Sequence, residues 1–338
     1  KVVLDAVYNH TGREFFAFED IMEKGEKSKY LDWYYIEKFP LESERGEIPN
    51  YKCFGYYGGM PKLNLKNPEV EKFFTDVACY WIKECDIDGW RMDVGDEISH
   101  YFWKNFRRAV KAVKKDMLII GEIWHYAGDF LEGDEWDTVM NYPFYLNLID
   151  LLADEKINVS QFIQNLGYLK GRLNKKCYPL MWNLIDSHDT ARFLHLCNDN
   201  KKKQHLAAAF QLLLPGMPMI YYGDEFAMPG ANDPDCRRGM YWDEEYQDKE
   251  MFEWYKQLLK VRKNHACIVE GEPIEIAARD EEETIVLIRK NGEETLALIF
   301  NCSSSARVFN EYAQKYDLLR ENPFDGKIAG LDAAVIVL

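Results

Sequence analysis

Apolar positions follow one regime up to His265 and another after it. Residues 1–7 are almost continuously apolar, as expected of a parallel strand covered on both faces. Over 67–85, Val70, Phe73, Phe74, Val77, Ala78, Trp81 and Ile82 fall at helical spacing, with Asn67 as N-cap and Pro68 at the first helical position. A short strand followed by a longer helix then recurs. Strands are predicted over 89–92, 117–121, 138–141, 179–185 and 218–222, and helices over 99–113, 203–214 and 248–264. After 117–121 comes a loop with a short helix to about residue 132, and after 138–141 a helical stretch over 144–169 with a break near Asp154. Strands alternating with helices imply parallel βα units with right-handed crossovers, six strands in all.

Residues 11–66 interrupt this alternation. They show no helical or strand period, are rich in Gly, Pro, Tyr and charge, and are too long for an ordinary connection, so they read as a small irregular subdomain inserted over the strand ends. Beyond His265, short runs at 274–278, 284–289, 294–300, 306–309, 316–319 and 333–338 are separated by turns such as Asn291-Gly292 and Asp325-Gly326. That is the sign of a small antiparallel β-sandwich. Two domains are therefore expected, an α/β domain over 1–265 and a β-sandwich over 266–338.

Four of the predicted strands run into polar residues that carry chemistry. In MWNLIDSHDTAR, residues 181–192, the strand ends at Asp186 and the turn presents His188 and Asp189 ahead of a helical-looking 190–196. The first strand runs into Asn9-His10, the second ends on Asp93, and the third runs into Glu122. Catalytic groups gather at the carboxyl ends of parallel barrel strands, so four such endings suggest one site built from several strands. A lone Asp or Glu in a turn is ordinarily a surface residue; the neighbours change the reading. Asp93 lies two residues after Arg91, so both project from the same side of the strand, and the arginine keeps the acid ionised. Glu122 lies between Gly121 and Ile123-Trp124, an apolar flank expected to raise its pKa. An ionised carboxylate beside a protonated one, about 5–5.5 Å apart, is what glycoside hydrolysis with retention requires. His188 with Asp189 would grip two adjacent sugar hydroxyls.

Composition narrows the partners. A formal net charge of −15 argues against nucleic acid and anionic membranes. Aromatic residues make up 14% of the chain, with 21 Tyr and 9 Trp, which suits stacking on ring-shaped ligands. Eight scattered cysteines without a CxxC pair read as reduced thiols, and a cytoplasmic location is expected. The longest apolar stretch, 206–222, is broken by Pro215-Gly216 and Pro218 and is no membrane span.

The segments Asp5-Ala-Val-Tyr-Asn9-His10, Gly89-Trp-Arg91-Met-Asp93, Gly121-Glu122-Ile-Trp124 and Ser187-His188-Asp189 resemble, in order, the four motif regions of the alpha-amylase family of glycoside hydrolases. The resemblance implies a TIM (β/α)8 barrel, with Asp93 as nucleophile, Glu122 as general acid/base and Asp189 as transition-state stabiliser. It also implies that His10, Arg91 and His188 bind the sugar at the cleavage point, while Asp5 and Asn9 order the site. Met60-Pro61-Lys62-Leu63-Asn64, Glu122-Ile-Trp124-His125 and Asn232-Asp-Pro-Asp235-Cys-Arg237-Arg238 are similar to motifs of the neopullulanase, cyclomaltodextrinase and maltogenic amylase group. In that group Trp124 and His125 would border the leaving-group side, and Asp235 with Arg237 or Arg238 the non-reducing side.

The activity so implied is hydrolysis of α-1,4-glucosidic bonds in maltooligosaccharides, cyclodextrins or pullulan. A glucan transferase or isomerase on the same fold is the alternative, as is an inactive fragment that only binds sugar. No cofactor is required, and Asn9 is a candidate calcium ligand. Because the first motif belongs to the third strand of the family barrel, the chain is expected to carry strands three to eight of a partial barrel. Strands 2–7 and 219–222 would then each present an open edge, and edges of that kind predict a homo-oligomer.

Overall fold

The computed structural model describes residues 1–42 and 48–338, so part of the inserted stretch, residues 43–47, lies outside the described residues. The chain divides into two compact units, Lys1–Met140 and Asn141–Leu338.

In the first unit, strands β1 (Val3–Ala6), β2 (Gly89–Met92), β3 (Leu118–Gly121) and β4 (Thr138–Val139) form a parallel sheet in the order β1-β2-β3-β4. Helices α1 (Phe16–Lys24), α2 (Pro68–Cys85) and α3 (His100–Val113) belong to the same unit. Asn67 accepts the Glu69 N–H and caps α2, and the Ser99 hydroxyl accepts the Phe102 N–H and caps α3. Both caps satisfy amide groups that a helix start leaves bare. The core is aromatic: Tyr8 meets Phe74, Trp90 and Phe106, and Trp136 stacks on Phe130 with centroids 4.1 Å apart. Each such side chain taken out of water contributes roughly 1.5–3 kcal/mol.

Two expectations are corrected here. Strand β1 is not buried on both faces: Val3 and Leu4 are only half-buried and Asp5 is exposed, with Ala6 alone fully buried, and among the described residues the strand pairs with β2 on one edge. The inserted stretch is not wholly irregular either. It contains α1, whose Ala17, Phe18 and Ile21 are fully buried on one face of the helix.

The second unit contains α4 (Tyr142–Leu148), which passes through a π-helical turn at Ile149–Ala153 into the break expected near Asp154, and then α5 (Val159–Arg172). Next come β5 (Trp182–Leu184), α6 (Phe193–Leu196), α7 (Lys201–Leu213), β6 (Met217–Met219), α8 (Lys249–Asn264) and α9 (Cys267–Glu270). β5 and β6 pair in parallel, and Leu206–Leu214 pack with α8 and one face of the terminal sheet in a shared apolar core.

That sheet comprises β7 (Glu272–Arg279), β8 (Thr284–Asn291), β9 (Glu294–Asn301), β11 (Tyr316–Asp317), β12 (Asn322–Pro323) and β14 (Asp332–Val337), ordered β12-β11-β14-β9-β8-β7 with antiparallel pairing. A two-stranded ribbon, β10 (Arg307–Val308) with β13 (Lys327–Ile328), supplies Ile328 to a second small core with Phe309 and Phe324. The turn between β8 and β9 holds Gly292 at φ 60, as the Asn291-Gly292 pair predicts. Among the described residues no helix is long and apolar enough to cross a membrane.

Candidate active site

Register explains how the first unit gathers its charges. Asp5 on β1 lies opposite Arg91 on β2. The ladder runs on past the strands, with Asp93 N–H bonded to Ala6 O and Glu122 N–H to Met92 O, so Asp93 and Glu122 end neighbouring strands side by side. Arg91 donates through Nη1 to Asp5 Oδ1 at 2.9 Å and to Asp93 Oδ1 at 2.7 Å. Its Nη2 lies 2.8 Å from Glu122 Oε1 as an ion pair. Burial alone would pull the Arg91 pKa down, but Glu122, Asp5 and Asp93 together push it up, so it is a fixed positive charge.

Glu122 is enclosed, and its second oxygen accepts the Val94 N–H at 3.0 Å. The flank read from the sequence as apolar therefore does not set its surroundings: Ile123 is buried in the core, and a guanidinium and an amide face the carboxylate. Val94 adopts φ 46, an unfavourable left-handed conformation for a β-branched residue, directly after Asp93. Gly95 and Gly121 allow Trp136 to close beneath this turn, since a Cβ on either would come within 2.6 Å of its ring.

His10 is largely buried and stacks on Phe54, with centroids 5.2 Å apart and planes 5° from parallel. Burial lowers its pKa, Asp93 and Glu97 oppose that shift, and Lys62 adds to it. Asn9 donates to Glu97 Oε2 at 3.1 Å, while its Oδ1 accepts from the Lys62 ammonium. Lys62 also donates to Glu97 Oε2 at 2.8 Å and to Glu97 O at 3.1 Å. These residues do not fit a calcium ion, because the oxygen that would ligate it already holds a positive charge. Among the described residues no group of three or more His, Cys, Asp or Glu could hold a metal. Trp124 is 40% exposed rather than part of the core, and the neighbouring His125 meets Asp96 at 3.0 Å.

In the second unit, His188 Nε2 lies 3.1 Å from Asp189 Oδ2, and Arg237 Nη2 donates to Asp189 Oδ1 at 3.0 Å. Arg237 also meets Asp233 at 2.7 Å. Asp235 is bound instead by the fork of Arg238 at 2.6 and 2.9 Å, which holds its carboxyl below the usual range. Of the two adjacent arginines, Arg237 is thus the one that reaches Asp189. The segment after Asp189 is not helical from 190 as its sequence suggests. Helix α6 starts at Phe193, where the Asp186 carboxylate takes the first free amide.

Sequence reasoning missed Phe54 and Glu97 and gave Lys62 no role. A lysine within an otherwise uncharged Met-Pro-Lys-Leu-Asn run was the available signal for the last. Nothing local marked the other two.

Comparison with known proteins identifies the family. Residues 1–247 match the alpha amylase catalytic domain. The chain is 45% identical over 306 residues to a cyclomaltodextrinase from Geobacillus thermopakistaniensis (strain MAS1), covering 90% of this chain and 52% of that protein. It is 42% identical over 302 residues to neopullulanase 2 of Thermoactinomyces vulgaris, covering 89% and 51%. A solved cyclomaltodextrinase structure superposes with a TM-score of 0.93 at 37% identity, over 99% of this chain and 60% of that one. The chain thus spans about half the length of the curated relatives it matches. With its strand-end acids in that register and its first 247 residues matching the catalytic domain, the chain belongs to the alpha-amylase family.

Proposed function

We propose that the chain carries the catalytic portion of an enzyme that hydrolyses α-1,4-glucosidic bonds in maltooligosaccharides, cyclodextrins or pullulan with retention of configuration. The observation that carries this reading is the Arg91 guanidinium, in contact with Asp5, Asp93 and Glu122 at the ends of three successive parallel strands. Neighbouring strands run about 4.8 Å apart, close to the roughly 5–5.5 Å between carboxyls in retaining glycosidases. Asp93 attacks the anomeric carbon as Glu122 gives a proton to the departing glycosidic oxygen; water, deprotonated by Glu122, then displaces Asp93. Asp189, held by Arg237 and His188, stabilises the positive charge that develops on the sugar. His10, Arg91 and His188 bind the ring at the cleavage point. Trp124 and His125 border the leaving group, and Asp235 with Arg237 the other side.

The names of the relatives support cyclodextrin and pullulan as substrates. In this reading the six parallel strands correspond to strands three to eight of the barrel, with a domain boundary near His265 and an inserted subdomain over 11–66. Eight cysteines, none in a disulfide among the described residues, support a reducing, cytoplasmic setting. Strands β1 and β6, which among the described residues each pair on one side, support self-association. Incubation with a cyclodextrin, with proton NMR of the first products, tests the function. Newly formed α-anomers of glucose and maltose are expected. β-Anomers would overturn it, and longer or rearranged glucans would mark a transferase.

A further inference from the structure

Behind the loop that carries His188 and Asp189, the second unit buries three charged side chains that no step above uses. Arg192 is fully buried and donates through Nη1 to Asp224 Oδ1 at 3.1 Å. Its guanidinium lies 4.5 Å over the Tyr221 ring and 5.0 Å over that of Tyr222. Asp186 accepts the Phe193 N–H at 2.5 Å, and its carboxyl contacts that of Asp224. Two carboxyls bond each other only when one carries a proton, and burial pushes the pKa of both upward. The Oδ2 atoms of both acids are buried with no other donor, and a shared proton gives them one. With that proton, one arginine balances one carboxylate.

The cluster touches both segments that meet at Asp189. Asp186 bonds Phe193 and so closes the 186–193 loop. Within it the Ser187 N–H donates to Thr190 Oγ1 at 3.1 Å, and the Asp189 N–H to Ser187 Oγ at 3.2 Å. On the other segment, Arg192 N–H donates to Gly230 O at 2.9 Å. A Cβ on Gly230 would lie 3.3 Å from Arg192 Cδ and 3.0 Å from Asp235 O, so the 230–238 segment sits directly on the arginine. From that segment Cys236 Sγ reaches His188 O at 3.3 Å and Arg237 reaches Asp189.

We propose that Asp186, Asp224 and Arg192 are positioning residues that fix Asp189 and Arg237 relative to each other, through one buried anchor shared by both segments. The inference rests on the reading that Asp189 acts in the reaction. The two acids are not equivalent. Asn at 186 keeps an oxygen for Phe193 and adds a donor toward Asp224, whereas Asn at 224 removes the counter-ion of a fully buried arginine.

The test compares Asp224→Asn, Asp186→Asn, Asp189→Asn and a core control, Leu258→Ala, in the intact protein, each assayed well below its own melting temperature. Asp224→Asn is expected to lower kcat by about 100-fold, the scale of a misplaced reacting group, with a smaller change in KM. Asp186→Asn stays near the wild-type rate, and Leu258→Ala loses stability while the folded protein keeps its kcat. Wild-type kcat in Asp224→Asn, or equal damage from Asp186→Asn, overturns the proposal. If Asp224→Asn does not fold, Arg192→Lys, which keeps the charge but loses the planar stack, carries the same comparison. An active Asp189→Asn protein overturns the catalytic reading and this inference with it. An inactive one beside an active Asp224→Asn overturns this inference alone.

Discussion

Arg91 in the first unit and Arg192 in the second each gather acids near the end of a parallel strand, but only the first cluster is reachable. Among the Arg91 partners, the Asp5 side chain is 52% exposed, that of Asp93 18% and that of the enclosed Glu122 6%; Arg192 and Asp224 are 0% and 1% exposed. Two charged clusters of similar composition are thereby assigned different work. Carboxylates that solvent can reach are available to a sugar ring. Carboxylates sealed behind a loop act only by holding that loop, and burial pushes the pKa of both upward, where a single arginine is their shared counter-ion.

Removing chemistry from the reachable cluster has the largest expected effect. Asp93→Asn or Glu122→Gln should lower cyclodextrin turnover roughly 10³- to 10⁶-fold, since the barrier rests on those groups at the transition state. The melting temperature should change little, and a Glu122→Gln protein with near-normal turnover would remove the assignment of that cluster as catalytic.

Removing each arginine sharpens the contrast. Arg192→Met should cost about 3–5 kcal/mol in urea unfolding, the penalty for stranding a buried carboxylate. Arg91→Met should cost less stability, because two of its three partners, Asp5 and Asp93, can take up water and Glu122 keeps the Val94 N–H, yet abolish most activity. Equal stability losses would erase the distinction between the clusters.

Lys62 gives a smaller effect. Lys62→Met should lower stability by about 1 kcal/mol through the lost bonds to Asn9 and Glu97. With an ammonium at Asn9, neither calcium nor a chelator should move the wild-type melting temperature; a calcium-dependent rise would contradict that geometry.

The smallest effect is on pH dependence. Burial holds the folded His10 pKa below the ordinary imidazole value of 6.5, so the unfolded chain binds the proton first. The stability this represents is complete above pH 6.5 and is lost as pH falls from there through the folded pKa. Urea midpoints measured across that range should fall, and His10→Gln should flatten the fall.

Where a feature depends on a few neighbouring residues, the sequence was readable. Asn67-Pro68 announces α2, Asn291-Gly292 the β8–β9 turn, and an acid after a short apolar run marks the strand endings before Asp93, Glu122 and Asp186. Features set by distant partners were not. The exposure of β1 follows from its neighbours in the sheet, not from its own residues. Asn9 and Glu97 are 88 positions apart and meet both directly and through Lys62. Strands β12 and β13 have two residues each, too few to show alternation. Asp186 was legible as a strand end, but its pairing with Asp224 belongs to the fold.

The most direct test of the central claim is to trap the covalent intermediate. A fluorinated α-glucosyl fluoride, whose electron-poor ring slows release of the sugar, should glycosylate the wild-type protein once with loss of fluoride, and peptide mass mapping should place the sugar on Asp93. A sugar on any other residue, or release of β-configured product with no covalent adduct, would contradict the account.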